Sequence, residues 1–175
     1  MAKIEKLSPI VAKWESGFVN DPTDKGGATN MGITIGAWRQ IGYDKDGDGD
    51  IDVQDIKLLD ERDFACVLKV YWNRWQANRI INQSVANLLV DWVFTSGAWG
   101  VKIPQRILKL KEDGVVGNQT LTAVNLVNQK AFFDALFEAR KKFFHDIVRN
   151  NPEQKRFLKG WLNRLNDFKF SETDI

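Results

Sequence analysis

The chain has 175 residues, enough for one domain with its own core or for one domain carrying a small appendage. Its 25 basic and 23 acidic residues leave a net charge of +2 with no basic block, which argues against nucleic-acid binding. Apolar residues make up 43%, yet no apolar run approaches the ~20 residues of a membrane span, and Met1 to Pro9 lacks the unbroken hydrophobic stretch of a secretory signal.

A single cysteine, Cys66, forbids an intrachain disulfide and fits synthesis in a reducing compartment, the cytoplasm. Within Asp63-Phe64-Ala65-Cys66-Val67-Leu68 it reads as a small buried hydrophobe. The single histidine, His145, lies in an amphipathic helical stretch and reads as a surface or partly packed helix residue. A zinc site takes three or four ligands, mostly His and Cys, and nucleophilic triads need a histidine base. One histidine and one cysteine argue against both, which leaves carboxylates.

In chain order, Ser8-Pro9 reads as an N-cap followed by proline at the first helical position, with Ile10, Val11 and Trp14 on one apolar face. Ile4 and Leu7 continue that face, so an earlier start is also open. Gly17 is a natural stop, and Glu15 is expected in the last turn. Residues 18–35, rich in Gly, Asn, Asp and Thr, read as a turn-heavy loop or small hairpin. A short helix is expected over 36–41, then a Gly/Asp loop from Asp44 to Asp52. Helical periodicity follows near 53–59, 61–75, 84–99, 101–111, 118–128, 130–149 and 153–168. The stripes Phe132, Phe133, Leu136, Phe137, Phe143 and Phe157, Leu158, Trp161, Leu165 read as core. The fold class is therefore mainly α, with a small irregular or β-containing lobe near the N-terminus. The best boundary falls at Lys111 to Gly117, giving residues 1–111 and a helical part 112–175 packed as one unit.

The segment Asp44-Lys45-Asp46-Gly47-Asp48-Gly49-Asp50-Ile51-Asp52-Val53-Gln54-Asp55 fits the twelve-residue EF-hand loop. Asp44, Asp46 and Asp48 take positions one, three and five, and Gly49 the sharp turn at six. Asp50 offers its carbonyl at seven, Ile51 is the apolar residue at eight, and Asp52 stands at nine. Calcium needs such alternation because its six to eight oxygen ligands converge from a tight coil. Position twelve is Asp55, whose shorter arm reaches a bidentate closure less readily than a glutamate would. A structural Ca2+ that braces this loop is the expectation, and the chemistry itself calls for no cofactor.

Glycosidic cleavage needs a carboxylic acid still protonated near neutral pH. At a helix C-terminus beside Trp14 and Phe18, Glu15 would have its pKa raised by the helix dipole and apolar neighbours. The loop after it supplies Asn20, Asp21, Asp24, Thr29, Asn30 and Thr34, which could orient a sugar, activate water or stabilise positive charge.

The run Trp14-Glu15-Ser16-Gly17-Phe18-Val19-Asn20-Asp21-Pro22-Thr23-Asp24-Lys25-Gly26-Gly27-Ala28-Thr29-Asn30-Met31-Gly32-Ile33-Thr34 resembles the N-terminal signature of glycoside hydrolase family 108. That signature reads Glu-Gly-Gly, a spacer ending Asp-Pro-x-Asp, then Gly-Gly-x-Thr-x-x-Gly-Ile-Thr. The resemblance implies a lysozyme-like fold and a phage-endolysin-type N-acetylmuramidase that cuts peptidoglycan with Glu15 as catalytic acid. Asp24 is the first choice for water activation or charge stabilisation; a turn-capping role is its other reading. Glu15-Ser16-Gly17 departs from Glu-Gly-Gly and matches the opening of many lytic transglycosylase motifs, so hydrolysis and transglycosylation both remain open. So do inversion and retention. A third reading is a non-catalytic, calcium-dependent wall-binding or secretion-helper protein.

Tyr71-Trp72 and Asp91-Trp92-Val93-Phe94-Thr95-Ser96-Gly97 resemble family segments that line the cleft, which makes Tyr71, Asp91 and Ser96 candidate substrate contacts. Asp113-Gly114-Val115-Val116-Gly117-Asn118-Gln119-Thr120 resembles the turn-helix signature of peptidoglycan-binding modules, and Phe157 to Leu165 the close of the region often joined to this family. The expected partner is bacterial peptidoglycan, reached from the cytoplasm through a holin or a dedicated exporter, with action at the wall or in the periplasm.

Overall fold

A computed structural model describes residues 1–15, 17–18, 20 and 27–172, which divide into two units: residues 8–70, and residues 1–7 with 71–175. Among the described residues there are nine α-helices and one two-stranded sheet. The class is mainly α with a small β element near the N-terminus, as the periodicity predicts, and it is consistent with a lysozyme-like fold.

Helix α1 runs from Ile4 to Ala12, so the earlier of the two possible starts is the one formed. Leu7 and Val11 are fully buried on its face, and this continuous apolar stripe holds Pro9 inside the helix despite its missing N–H. The helix stops short of the expected last turn. Beyond Ala12 the chain tightens to three-residue steps, Trp14 N–H donating to Val11 O (2.9 Å) and Glu15 N–H to Ala12 O (3.2 Å). Glu15 therefore stands just past the helix.

In the 8–70 unit, β1 (Thr29–Asn30) pairs antiparallel with β2 (Ile33–Thr34), Thr29 opposite Thr34 and Asn30 opposite Ile33. The loop between them is Met31 (φ 51°) and Gly32 (φ 73°), the two left-handed residues of a tight hairpin turn. Asn30 and Ile33 are buried while Thr29 and Thr34 are half-buried, which is the period-two alternation of a strand pair. Thr34 then caps α2 (Ile35–Ile41), its hydroxyl accepting from Ala37 N–H (3.2 Å). Trp38 anchors α2 in the core and donates its indole N–H to Tyr43 O (3.1 Å).

The acidic loop leads into α3 (Val53–Lys57) and α4 (Glu61–Arg74). Phe64, Val67, Leu68 and Trp72 occupy the buried stripe of α4 at helical spacing. That register turns Cys66 outward, so the cysteine is exposed and the expectation of a buried hydrophobe is corrected.

The larger unit is built around α5 (Gln83–Ser96), in which every residue from Gln83 to Val93 is buried. A helix apolar on nearly all sides must sit at the centre of its unit, and each large aliphatic side chain buried there contributes roughly 1.5–3 kcal/mol. Asn82 caps it by accepting from Val85 N–H (3.0 Å). Helix α6 (Trp99–Ile107) closes on α5 at Gly100, where a methyl group would lie 2.3 Å from Val93 N. After α6 comes the Asp113–Gly117 turn. Gln105 donates to Asp113 Oδ1 (2.8 Å) and Val115 O (2.9 Å) and accepts from Gly114 N–H (2.9 Å). Helices α7 (Asn118–Leu126), α8 (Gln129–Asn150) and α9 (Lys155–Asn166) complete the unit. No described helix is long and apolar enough to cross a membrane.

Candidate active site

The candidate acid, Glu15, is half-buried and its carboxyl lies against the hairpin turn. A methyl group on Gly32 would fall 1.9 Å from Glu15 Oε2 and 2.6 Å from its carboxyl carbon. Any larger side chain there would have to push the Glu15 carboxyl aside, and φ of +73° also favours glycine. The Gly-Ile-Thr segment thus forms the hairpin and opens the space that the glutamate fills. Beside it, Lys13 lies over the Trp14 ring (5.2 Å) and Lys57 over the half-exposed Phe18 ring (5.6 Å).

The other loop candidates separate by what their side chains do. Asn30 donates from Nδ2 to Ile56 O (2.8 Å), tying β1 to α3. Thr34 spends its hydroxyl on the α2 cap. Thr29, in the half-buried face of the hairpin, has a long bond (3.4 Å) to Gly27 O, and Asn20 is exposed. Asp21, Asp24 and Ser16 lie outside the described residues.

Six aspartates crowd the 44–55 loop. Carboxylate oxygens of Asp44, Asp46 and Asp48 lie within 4.8 Å of one another, and so do those of Asp50, Asp52 and Asp55. Gly47 (φ 79°) and Gly49 (φ 103°) make the turns that an L side chain would strain. Asp44 accepts from Gly47 N–H (2.6 Å) and Gly49 N–H (2.8 Å), with the Gly49 bond the larger cause holding its carboxyl below the usual range. Asp55 is buried and accepts from Asp52 N–H (2.7 Å) and Lys45 N–H (2.5 Å); the Asp52 bond leads in lowering its pKa. Desolvation followed by the neighbouring charges pushes Asp46 up, and the charge of Asp48 pushes Asp50 up. The loop is already wound, and part of its charge opposes that winding. Oxygen-only donors in a glycine-turned coil suit a hard cation such as Ca2+.

In the larger unit, Asp91 is fully buried between two arginines. Arg140 donates to its Oδ2 (2.6 Å), and Arg164 to its Oδ1 (2.6 Å). Burial pushes the Asp91 carboxyl up, but the two guanidinium charges more than offset this and hold it below its ordinary value. Its oxygens are taken up by these pairs, so its evident task is to hold α8 and α9 to α5. Ser96 lines a recess at the end of α5, and Tyr71 packs edge-on against Phe94 (5.0 Å).

Two contributors were not singled out in the sequence, and both left a signal there. Gly32 follows Asn-Met in a segment that reads as a hairpin, where a positive-φ glycine is expected. Arg140 stands in the Phe133, Leu136, Phe144 stripe, and a charge on a core face calls for a buried partner.

Residues 8–97 match the family model described as Glycosyl hydrolase 108, and residues 99–166 the one described as Predicted Peptidoglycan domain. A solved structure of SagA from Brucella abortus is 29% identical, with a TM-score of 0.74 over 94% of this chain and 90% of that one. No curated protein matches the chain. The family match, joined to the peptidoglycan domain, makes this a glycoside hydrolase acting on peptidoglycan. The chain belongs to glycosyl hydrolase family 108.

Proposed function

We propose that the protein is an N-acetylmuramidase that hydrolyses the β-1,4 bond between N-acetylmuramic acid and N-acetylglucosamine, with Glu15 as general acid. The seat of Glu15 against Gly32 supports this reading, because a surface glutamate needs no such fitted space. Glu15 delivers its proton to the leaving oxygen as positive charge develops on the muramic acid ring. Asp24 then activates water or stabilises that charge. Thr29 and Asn20 contact the sugar, while Asn30 and Thr34 fix the hairpin that frames the acid. Tyr71 and Ser96 are further substrate contacts, and the helical part 112–175 contributes binding to the wall.

Ca2+ is proposed to sit among Asp44, Asp46, Asp48, the Asp50 carbonyl, Asp52 and Asp55. Its role is structural, bracing the loop that runs from α2 to α3. Release to the wall through a holin or an exporter is proposed as the route from the cytoplasm.

The test is digestion of purified peptidoglycan by wild type and Glu15→Gln, with mass spectrometry of the products. Reducing-end muropeptides that vanish in the variant are the expected result. Anhydro-muramyl products would replace this reading with a lytic transglycosylase. Absence of cleavage by folded, calcium-loaded protein would replace it with a wall-binding or secretion-helper protein.

A further inference from the structure

The larger unit carries an open groove between the end of α5, the start of α6 and the last turns of α8. Its volume of about 420 Å³ falls within the range of small-ligand pockets, about 300–1,000 Å³. Phe143, Asp146, Ile147 and Asn150 recur at helical spacing and so turn one face of α8 to the groove; Trp99 and Ser96 line it from the other elements. Trp99, the first residue of α6, is 50% exposed. Packing does not require a tryptophan there, because α6 docks on α5 through Gly100 and Val101, which are buried. The Trp99 ring instead tilts against Phe143, with centroids 6.4 Å apart at 45°, and the two make a partly wet aromatic wall. A half-exposed tryptophan offers a large, stiff apolar face, which is the usual anchor of a binding surface.

The polar lining is neutral in sum and partly open. Asp146 is the one charged residue of the lining, and its charge is met by Lys142 (2.6 Å) and Arg149 (2.8 Å). Asn150 is exposed, and its side-chain amide is held by no described residue. Ser96 Oγ has only a long contact (3.4 Å) to Thr95 Oγ1, which is itself committed to Asp91 O (3.0 Å) and Arg140 Nη2 (3.0 Å). The groove thus offers an amide, a hydroxyl and carboxylate lone pairs beside an aromatic wall, with no excess charge to recruit an ion. That set fits a neutral N-acetylated sugar. The apolar C–H face of the ring packs on Trp99, the acetamido group meets the donor and acceptor of Asn150, and hydroxyls donate to Asp146. A stem peptide brings several carboxylates and would need a cation in the lining; Lys102 lies beside the Trp99 ring (5.9 Å) but outside that lining.

We propose that this groove binds an N-acetylglucosamine residue of the glycan strand, with Trp99 as the stacking platform and Asn150, Asp146 and Ser96 on the polar groups. The inference rests on peptidoglycan being the target, and it assigns the sugar backbone rather than the stem peptide to the larger unit. A site for the sugar is indifferent to how the peptides are trimmed or cross-linked.

The experiment is an NMR titration of the full chain carrying Glu15→Gln, which keeps the ligand whole, with chitotetraose in the presence of calcium. Cellotetraose, which lacks the acetamido groups, and a sugar-free stem tetrapeptide are titrated in parallel. Saturable shifts of the Trp99 indole, the Asn150 side-chain amide and the Ser96 amide by chitotetraose are expected. Cellotetraose should bind at least about tenfold more weakly, the loss of the acetamido hydrogen bonds. Trp99→Ala should weaken chitotetraose at least about tenfold, read at Asn150, and Trp99→Phe should recover part of that loss. The comparison of the three ligands with Trp99 intact decides the matter even if Trp99→Ala fails to fold. Equal binding of the two tetrasaccharides overturns the proposal. So do the same shifts from the tetrapeptide at lower concentration, shifts confined to other residues, or a folded Trp99→Ala that binds as tightly as its parent. Glycan cleavage by wild type without these shifts would end this proposal and leave the muramidase reading intact. These shifts without cleavage would do the reverse.

Discussion

The two units of the chain reach order by different means. In the larger unit, α5 is buried on all sides from Gln83 to Val93, and aliphatic and aromatic packing decides the structure. In the 8–70 unit, the elements ahead of α4 and after α1 are short: strands of two residues, and helices of seven and five in α2 and α3. Order there comes from hydrogen bonds by single side chains, such as the Thr34 cap, the Asn30 tie to Ile56 and the double acceptance by Asp55. A long packed helix keeps its course when one residue changes. A hairpin set by one amide and one glycine does not. The candidate acid resides in the part where single atoms matter, which is where a reacting group can be placed finely.

This contrast can be broken or sharpened by substitution. The largest effect on turnover is expected from Gly32→Ala, whose methyl group would displace the Glu15 carboxyl. A displacement near 1 Å costs on the order of 10²-fold in rate, so kcat should fall by about that much while KM changes little. Steady-state kinetics on solubilised glycan strands reads both, and unchanged kcat would show that Gly32 does not position the acid.

In the larger unit the most consequential change is to the buried Asp91–Arg140–Arg164 cluster. Asp91→Asn leaves Arg140 and Arg164 facing a neutral partner, and breaking such a pair costs about 3–5 kcal/mol. Denaturant melts should show that loss. The same carboxylate has its folded pKa held below the ordinary aspartate value of 3.8, so its contribution is complete above that value and is lost as pH falls through the lower folded pKa. Wild type should therefore lose stability below about pH 4, and Asp91→Asn should show a flatter acid limb. Parallel acid limbs would contradict the assignment.

Calcium sharpens the comparison from the other side. At a hundredfold excess over Kd, a cation bound only by the folded loop raises the melting temperature by roughly 5–10 °C in a domain of this size. Chelation should reverse the shift, and Asp44→Asn should blunt it; a melting curve indifferent to calcium and chelator would remove the ion from the account. The smallest effect is expected from Asn30→Ala, which leaves the Ile56 carbonyl only its backbone partners, such as Leu59 N–H (3.4 Å), at a cost of about 1 kcal/mol. If the hairpin is held by such single bonds, activity should fall further than global stability does.

Much of this division was legible in the sequence. The long stripes in α5, α8 and α9 announced themselves through helical spacing, because tertiary burial and periodicity agree there. The Glu15 motif and the hairpin were legible from the Gly-Ile-Thr signature, and the glycines of the acidic loop from the turns they must make. The end of α1 was not. Whether a helix carries its last turn to Glu15 or tightens after Ala12 depends on carbonyl partners, which spacing does not encode. Nor was the burial of Asp91: an aspartate in a family segment reads as a substrate contact until Arg140, 49 positions later, and Arg164, 73 positions later, are brought to it. Cys66 failed for a related reason, since an apolar run longer than the helix face leaves its outward member undetermined.

The central claim is that Glu15 supplies the proton to the leaving group, and the most direct measurement compares leaving groups that differ in their need for one. Glu15→Gln should be slowed by about 10²–10⁴-fold on a natural muramyl glycan yet by far less on a chitooligosaccharide or muramyl substrate bearing a dinitrophenyl leaving group, which departs without protonation. Equal losses on both substrates, in a variant that folds and binds calcium as wild type does, would contradict the assignment of Glu15 as the acid.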